Sequence, residues 1–408
     1  MDLSEYWDRG TNRLKTYASS KVVRKIRKSV LAYILILFIV SRALYIIVGD
    51  EGVRSFDLYV PPATTAYTTT ISSHLPIQMW YIWDAPNYGN LAREYSTSLS
   101  VLKPSYDVNG TKGYYLLHWF PLYPLLSKGV SSLTSLSIPY SQLVVSNLAF
   151  IVALYLLYKL IRIDEKEEFS RNVVALLVLL PTSFIFSAAL SESLFLALAV
   201  ASLYFARKQR WILAGVMGFL LALTHAEGFL MALPLLVEAL QQYGIDKRDI
   251  KKYIKPLIAC ATTVAGILIF MVYCWIRTKN PFAYVDSQKD LTGLKVGNPL
   301  IFLYHYLFKF KTLVALGEVI LVLSVWRKVR WSYIAYTLTM IVVVLSISSK
   351  TAGIGSILRY VSVLFPVAIA AAYLAKNKLM NPLVWMTLGI LNGAFFILWV
   401  NWWTKFII

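Results

Sequence analysis

Apolar residues in this chain come in runs too long for the core of a soluble domain. A helix needs roughly 20 mostly apolar residues to cross about 30 Å of hydrocarbon. Runs of that kind predict about eleven spans, at 30–48, 138–160, 172–190, 192–206, 211–224, 228–243, 257–275, 311–326, 331–347, 359–375 and 381–402. Those at 192–206, 211–224 and 228–243 are short, so they extend into polar flanks or sit in a thinned part of the membrane. Between 49 and 137 the pattern changes. Pro61 to Thr70 is polar and β-branched, with little helix propensity. The pieces from Trp80 to about Tyr95 and from Trp119 to about Leu133 are aromatic and apolar with scattered charges, and they read as helices lying in the interface. A second polar segment, 276–310, carries Tyr304 and Tyr306 and follows Trp275, all suited to anchor at the interface. No internal repeat is visible, which weighs against a transporter built on inverted repeats.

Charge orients these spans, because Lys and Arg concentrate in cytoplasmic loops. With the N-terminus inside, segments 1–29, 162–171, 206–210, 244–256, 327–330 and 376–378 hold 24 of the 40 Lys and Arg. The much longer 49–137 holds only Arg54, Arg93, Lys103, Lys112 and Lys128. The expected layout is a basic cytoplasmic N-terminus at 1–29 and one transmembrane domain at 30–408, with a first outer loop at 49–137 and a second at 276–310. The N-terminal stretch does not read as a cleaved signal, since its apolar run is too long and no small-residue cleavage pattern follows. Asn109-Gly110-Thr111 is the only glycosylation sequon of the chain, and it falls in the first outer loop.

Composition sharpens the class: 58% of residues are hydrophobic and 15% charged, an all-α polytopic membrane protein. The net charge of +19 has no soluble basic domain to sit on, so nucleic acid is not an expected partner. Cys260 and Cys274 share one apolar run and offer neither a disulfide framework nor a metal knuckle.

Candidate chemistry gathers in the first outer loop and at span ends. Asp84, in Trp83-Asp84-Ala85-Pro86-Asn87-Tyr88, suits a helix N-cap. It also suits a general base at the membrane surface, kept ionised by the helix terminus. His118-Trp119-Phe120-Pro121-Leu122-Tyr123-Pro124 is either an interfacial anchor or an aromatic wall against a sugar or polyprenyl group. Charge in hydrocarbon is costly and usually faces a cavity, so polar residues at span ends count for more. They are Ser191-Glu192-Ser193, Thr224-His225-Ala226-Glu227-Gly228, and the pair Lys350 and Arg359. Glu192 as a helix-start acid, His225 and Glu227 as a polar turn, and Arg359 snorkelling to headgroups are the bland alternatives. The functional one is a cationic site for a lipid-linked phosphate, for which Arg is the better bidentate partner. The loop has no Asp-x-Asp to clamp a divalent metal, and no phosphate-cradling glycine loop occurs.

Trp83-Asp84-Ala85-x-x-Tyr88-x-x-Leu91-Ala92, Phe120-Pro121-Leu122-Tyr123-Pro124-Leu125, Ser191-Glu192-Ser193-Leu194-Phe195, Arg359-Tyr360 and Phe365-Pro366 follow one another along most of the chain. In this order they resemble the second GPI mannosyltransferase family and its prokaryotic relatives. The resemblance implies a GT-C glycosyltransferase fold with the catalytic acid in the first outer loop. It also implies a polyprenyl-phosphate donor, typically dolichyl-phosphate mannose, and inversion at the anomeric carbon. Asp84 falls at the position of the base. The chain departs where relatives generally have Thr-Arg-x-x-Gly, since His225 stands at the Arg position.

The expected assignment follows. Asp84 is catalytic; Arg359, Lys350 and His225 hold the donor phosphate; Trp83, Tyr88, His118, Tyr123, Glu192 and Glu227 line the substrates. The partners are the lipid donor, a lipid or glycan acceptor, and membrane lipids; neither cofactor nor metal is expected, because a lipid phosphate is already a good leaving group. A lipid or lipid-linked-sugar transporter is the rival of another class. A metal-dependent oligosaccharyltransferase is the rival among enzymes, and would call for paired outer acids.

Overall fold

The computed structural model describes residues 29–55, 75–94, 105–106, 112–113, 117–244, 249–292, 295–348 and 357–400. Lys350, the sequon at 109–111, the stretch 61–70 and the basic residues 1–28 lie outside them. Helices dominate the described residues, with two-residue antiparallel pairs Ser105–Tyr106 with Lys112–Gly113 and Lys295–Val296 with Ile347–Ser348. Four helical stretches, Val30–Glu51, Ile138–Ile161, Ile250–Thr278 and Met380–Val400, are long and apolar enough to cross a membrane. Their outer faces bare large apolar side chains, such as Ile39 at 62%, Ile269 at 53% and Ile390 at 66% exposure, which suits lipid rather than water. The chain is a membrane protein.

We label α1 (Ala85–Glu94), α2 (Leu122–Thr134), α3 (Ile138–Ile161), α4 (Glu192–Arg207), α5 (Trp211–Ala222), α6 (Ala232–Tyr243), α7 (Ile254–Thr278) and α8 (Ile357–Val361). The apolar runs at 138–160, 192–206, 211–224 and 257–275 coincide with α3, α4, α5 and α7 to within a few residues. Those at 311–326 and 331–347 appear as the shorter helices Phe310–Ser324 and Trp331–Ser346.

Three expected spans are not continuous helices. The run at 172–190 stops at Leu179, because Leu180 precedes Pro181 and is driven to an extended backbone, and a short 3₁₀ turn, Ser183–Ser187, follows. The run at 359–375 is divided into α8 and a second helix opened by Pro366. The run at 228–243 begins as the 3₁₀ turn Ala226–Met231 before α6. Irregular backbone inside an apolar bundle needs hydrogen-bond partners. Side chains supply them: Asn392 donates to the Leu180 carbonyl (2.6 Å), Ser193 to Phe186 (2.9 Å), Ser146 to Leu190 (2.8 Å) and Tyr336 to Val363 (3.1 Å). The breaks after Leu179 and before Pro366 are thus fixed features, and each of the three interrupted runs carries or directly adjoins residues of the polar cluster described next.

Small residues let α5 approach α7. A Cβ at Gly266 would fall 2.6 Å from the Phe219 carbonyl oxygen, and one at Gly215 would fall 2.8 Å from the Ala259 Cα. Such close helix contact is the usual means of association where no hydrophobic drive acts between helices.

Candidate active site

Asp84 is placed by a segment that is not helical. The Ala189 amide donates to the Trp80 carbonyl (2.9 Å) and the Trp399 indole to Met79 (3.0 Å), which tethers 79–80 to the bundle. Trp83 then takes φ 61°, a left-handed conformation that is unfavourable for a bulky residue and persists only where its surroundings impose it. This twist precedes Asp84 and the start of α1. Gln142 of α3 clamps the next residue by donating to the Ala85 carbonyl (2.9 Å).

The Asp84 carboxylate is turned to Arg359 of α8, which donates through Nη1. The same guanidinium donates through Nε to Glu192, the first residue of α4. Arg359 is 6% exposed, so it does not snorkel to a headgroup, and its buried charge is met by two carboxylates. The Asp84 side chain keeps 29% of its surface exposed and is the accessible member. Burial opposes ionisation of Asp84, but Arg359 outweighs it, aided by His118 and by a hydrogen bond from the Trp119 side chain, and holds the carboxyl below its usual range. His118 itself is pushed below the ordinary histidine value by burial, which its attraction to Asp84 only partly offsets.

A second string runs alongside. The Tyr88 hydroxyl meets Ser191 Oγ at 2.8 Å, Ser191 Oγ meets His225 Nε2 at 2.6 Å, and His225 Nδ1 faces Glu227 Oε1 at 3.2 Å. His225 sits between α5 and the 3₁₀ turn, and burial opposes its protonation. Glu227, with Glu192 adding, overcomes both burial and the repulsion of Arg359 and raises its pKa above the usual value. Gly228 makes this turn possible, since a Cβ there would fall 2.4 Å from the Leu221 carbonyl oxygen and 2.8 Å from the Ala222 Cα.

The structure therefore brings together Asp84, Arg359, Glu192, His225, Glu227 and Tyr88 from distant stretches, with His118 and Trp83 beside Asp84. Tyr88 and Tyr123, read above as substrate walls, are buried at 2% and 0% exposure. Tyr123 hydrogen-bonds the Gln142 carbonyl (3.0 Å) and Ser146 (2.8 Å) beneath the site. Two positioning residues escaped the sequence reading of the site, Gln142 and Ser146, while Ser191, singled out with Glu192 as a span-end residue, proves to be the link between Tyr88 and His225. Gln142 and Ser146 did leave a signal, two polar residues four apart inside an apolar span.

No protein-family model matches the sequence, and no curated protein does. Among solved structures, the chain is similar to the Archaeoglobus fulgidus oligosaccharyltransferase tethered to an acceptor peptide with the NVT sequon, at 11% identity and TM-score 0.46 over 88% of this chain and 55% of that one. The archaeal oligosaccharyltransferase of the same organism, in complex with an inhibitory peptide and a dolichol-phosphate, gives 10% identity and TM-score 0.45, with 90% and 56% covered. The chain spans about half the length of the structures it resembles. At that level the likeness carries no argument about chemistry.

Proposed function

We propose that the protein is a membrane glycosyltransferase of GT-C type. It moves a sugar, mannose in the reading the motifs support, from a polyprenyl-phosphate donor to a hydroxyl of a lipid-linked or surface-glycan acceptor, with inversion. The observation that carries the reading is one buried arginine, Arg359, held between a part-exposed carboxylate, Asp84, and a buried one, Glu192. Asp84 takes the proton of the attacking hydroxyl, and Arg359 meets the charge that develops on the departing lipid phosphate.

The two roles are coupled. While Asp84 pairs with Arg359 its proton affinity is low, as it must be for the base to wait ionised. A donor phosphate that draws the guanidinium to itself weakens that pair and adds negative charge beside Asp84, and both effects raise its basicity. The base is thus strengthened when the donor is bound. Positioning both substrates beside one rigid carboxylate contributes the rest. The reading uses no metal, because Arg359 supplies the positive charge. It sets the site on the extracellular or luminal face, with the N-terminus cytoplasmic, as the Lys and Arg distribution favours.

The test is incubation of the purified protein with dolichyl-phosphate mannose labelled in the sugar and an acceptor extract. Label appearing in a new product, with release of dolichyl phosphate, is expected. Label that crosses a vesicle bilayer still attached to its lipid would instead support a transporter.

A further inference from the structure

The string Ser191, His225 and Glu227 calls for a role, because it sets a titratable group beside the Arg359 site. This inference rests on the reading of Arg359 as the donor-phosphate site. Three carboxylates meet there, Asp84, Glu192 and Glu227, against one permanent cation, Arg359. With His225 neutral, an anionic phosphate entering such a site meets a net excess of two negative charges. Protonation reduces that excess by one unit without moving any atom far. We propose that His225 is a positioning cation, oriented through both ring nitrogens by Ser191 and Glu227, whose protonation sets how tightly the site holds a lipid-linked phosphodiester.

Geometry supports this. With Nε2 against Ser191 at 2.6 Å and Nδ1 against Glu227 at 3.2 Å, the ring is fixed in place, and its charge acts on the phosphate through space. Ser191 directly precedes Glu192, the partner of Arg359, so the histidine and the arginine converge on one backbone step. The charged and titratable groups facing His225 are Glu227 from its own turn, Glu192 from α4, and Arg359 and Tyr360 from α8; Tyr88 of α1 reaches it through Ser191. His118 touches the same site through Asp84 and is, among the described residues there, the other group with an ordinary pKa near neutrality. Because the folded-state pKa of His225 is raised, its charge is present below that value and is lost as pH rises through it.

The experiment measures binding of farnesyl methyl phosphate to the full chain in lipid nanodiscs between about pH 6 and about pH 9. This phosphodiester keeps one negative charge throughout, and farnesol serves as the uncharged control. Affinity for the diester is expected to fall on the order of 10-fold across the range, the scale of one partly screened charge in a binding site. Farnesol affinity should stay level. His225→Arg should bind the diester tightly and without slope, His225→Gln weakly and without slope, and His118→Gln with the wild-type slope. A flat wild-type profile, an equal slope for farnesol, a slope that survives in His225→Arg, or its loss in His118→Gln overturns the proposal. If Arg359→Lys binds the diester as wild type does at every pH, the donor-phosphate reading itself fails. If Arg359→Lys weakens binding while the slope survives in His225→Arg, this inference alone fails.

Discussion

Helix α4 begins at Glu192 and ends at Arg207, and an ion cluster stands at each end, about 22 Å apart at 1.5 Å per residue. At the Arg207 end Glu238 is saturated. It accepts from Arg330 (2.8 and 3.2 Å), Ser332 (2.6 Å) and Gln242 (2.7 Å), and it pairs with Arg207 at 3.3 Å. Arg207 in turn donates twice to Asp164, at 2.6 Å each. Two carboxylates meet two guanidiniums, and the charges cancel. At the Glu192 end acids exceed permanent cations, Asp84 is part exposed, and Glu192 Oε2 is buried with no hydrogen-bond partner. A saturated cluster ties helices together and has nothing left to offer a ligand. An unsaturated one is held at some cost by the rest of the fold, which is the usual mark of a working site.

Substitutions can break or sharpen this contrast. The largest effect is expected from Glu238→Ala, which leaves two guanidiniums without their shared partner and should destabilise the protein by about 3–5 kcal/mol. Its thermal unfolding in detergent should shift strongly, while transfer per folded molecule stays near wild type. Arg359→Lys comes next. Burial against Glu192 makes truncation to alanine a structural lesion as well as a loss of the phosphate contact, so the conservative variant is the informative one. The lysine variant keeps the charge and loses the paired donors, so donor use should fall by about 10- to 150-fold, for a loss of about 1.5–3 kcal/mol, with little change in unfolding temperature. Gly228→Ala should cost about 1–3 kcal/mol by forcing the His225 turn away from α5, read as lower stability together with a changed pH profile. Asp164→Asn should matter least, under about 1 kcal/mol, because Asp164 is 47% exposed.

How much of this was legible in the sequence differs between the two levels. Long apolar runs are a local property, so α3 and α7 were placed within a few residues of their ends. The interruptions after Leu179 and before Pro366 were marked by prolines. What turns such a break into a fixed feature is a remote hydrogen bond, as from Asn392 to Leu180 across 212 positions, and no local pattern reveals it. The site behaved similarly. Glu192, His225, Glu227 and Arg359 stood out as polar residues at the margins of apolar runs, and Asp84 as a carboxylate among aromatic residues of the first outer loop. Their convergence joins Arg359 to partners 167 and 275 positions away, which spacing cannot show. The Arg207 end went unseen for another reason: Arg207 and Arg330 lie among the loop charges that topology alone explains, and Glu238, a lone acid inside the expected span at 228–243, had no visible partner before the three were seen in contact.

Asp84 is proposed as a base and not only as the residue that caps the start of α1. Asn caps a helix nearly as well as Asp but cannot take up a proton as a carboxylate does. Transfer of labelled mannose from dolichyl-phosphate mannose by Asp84→Asn, measured beside wild type at matched amounts of folded protein, separates the two roles. The account expects an intact fold, retained binding of the donor phosphate, and transfer reduced by at least roughly 100-fold, the lower bound for a positioned general base. Transfer at a near-normal rate would contradict it and pass the role of base to Glu192 or Glu227.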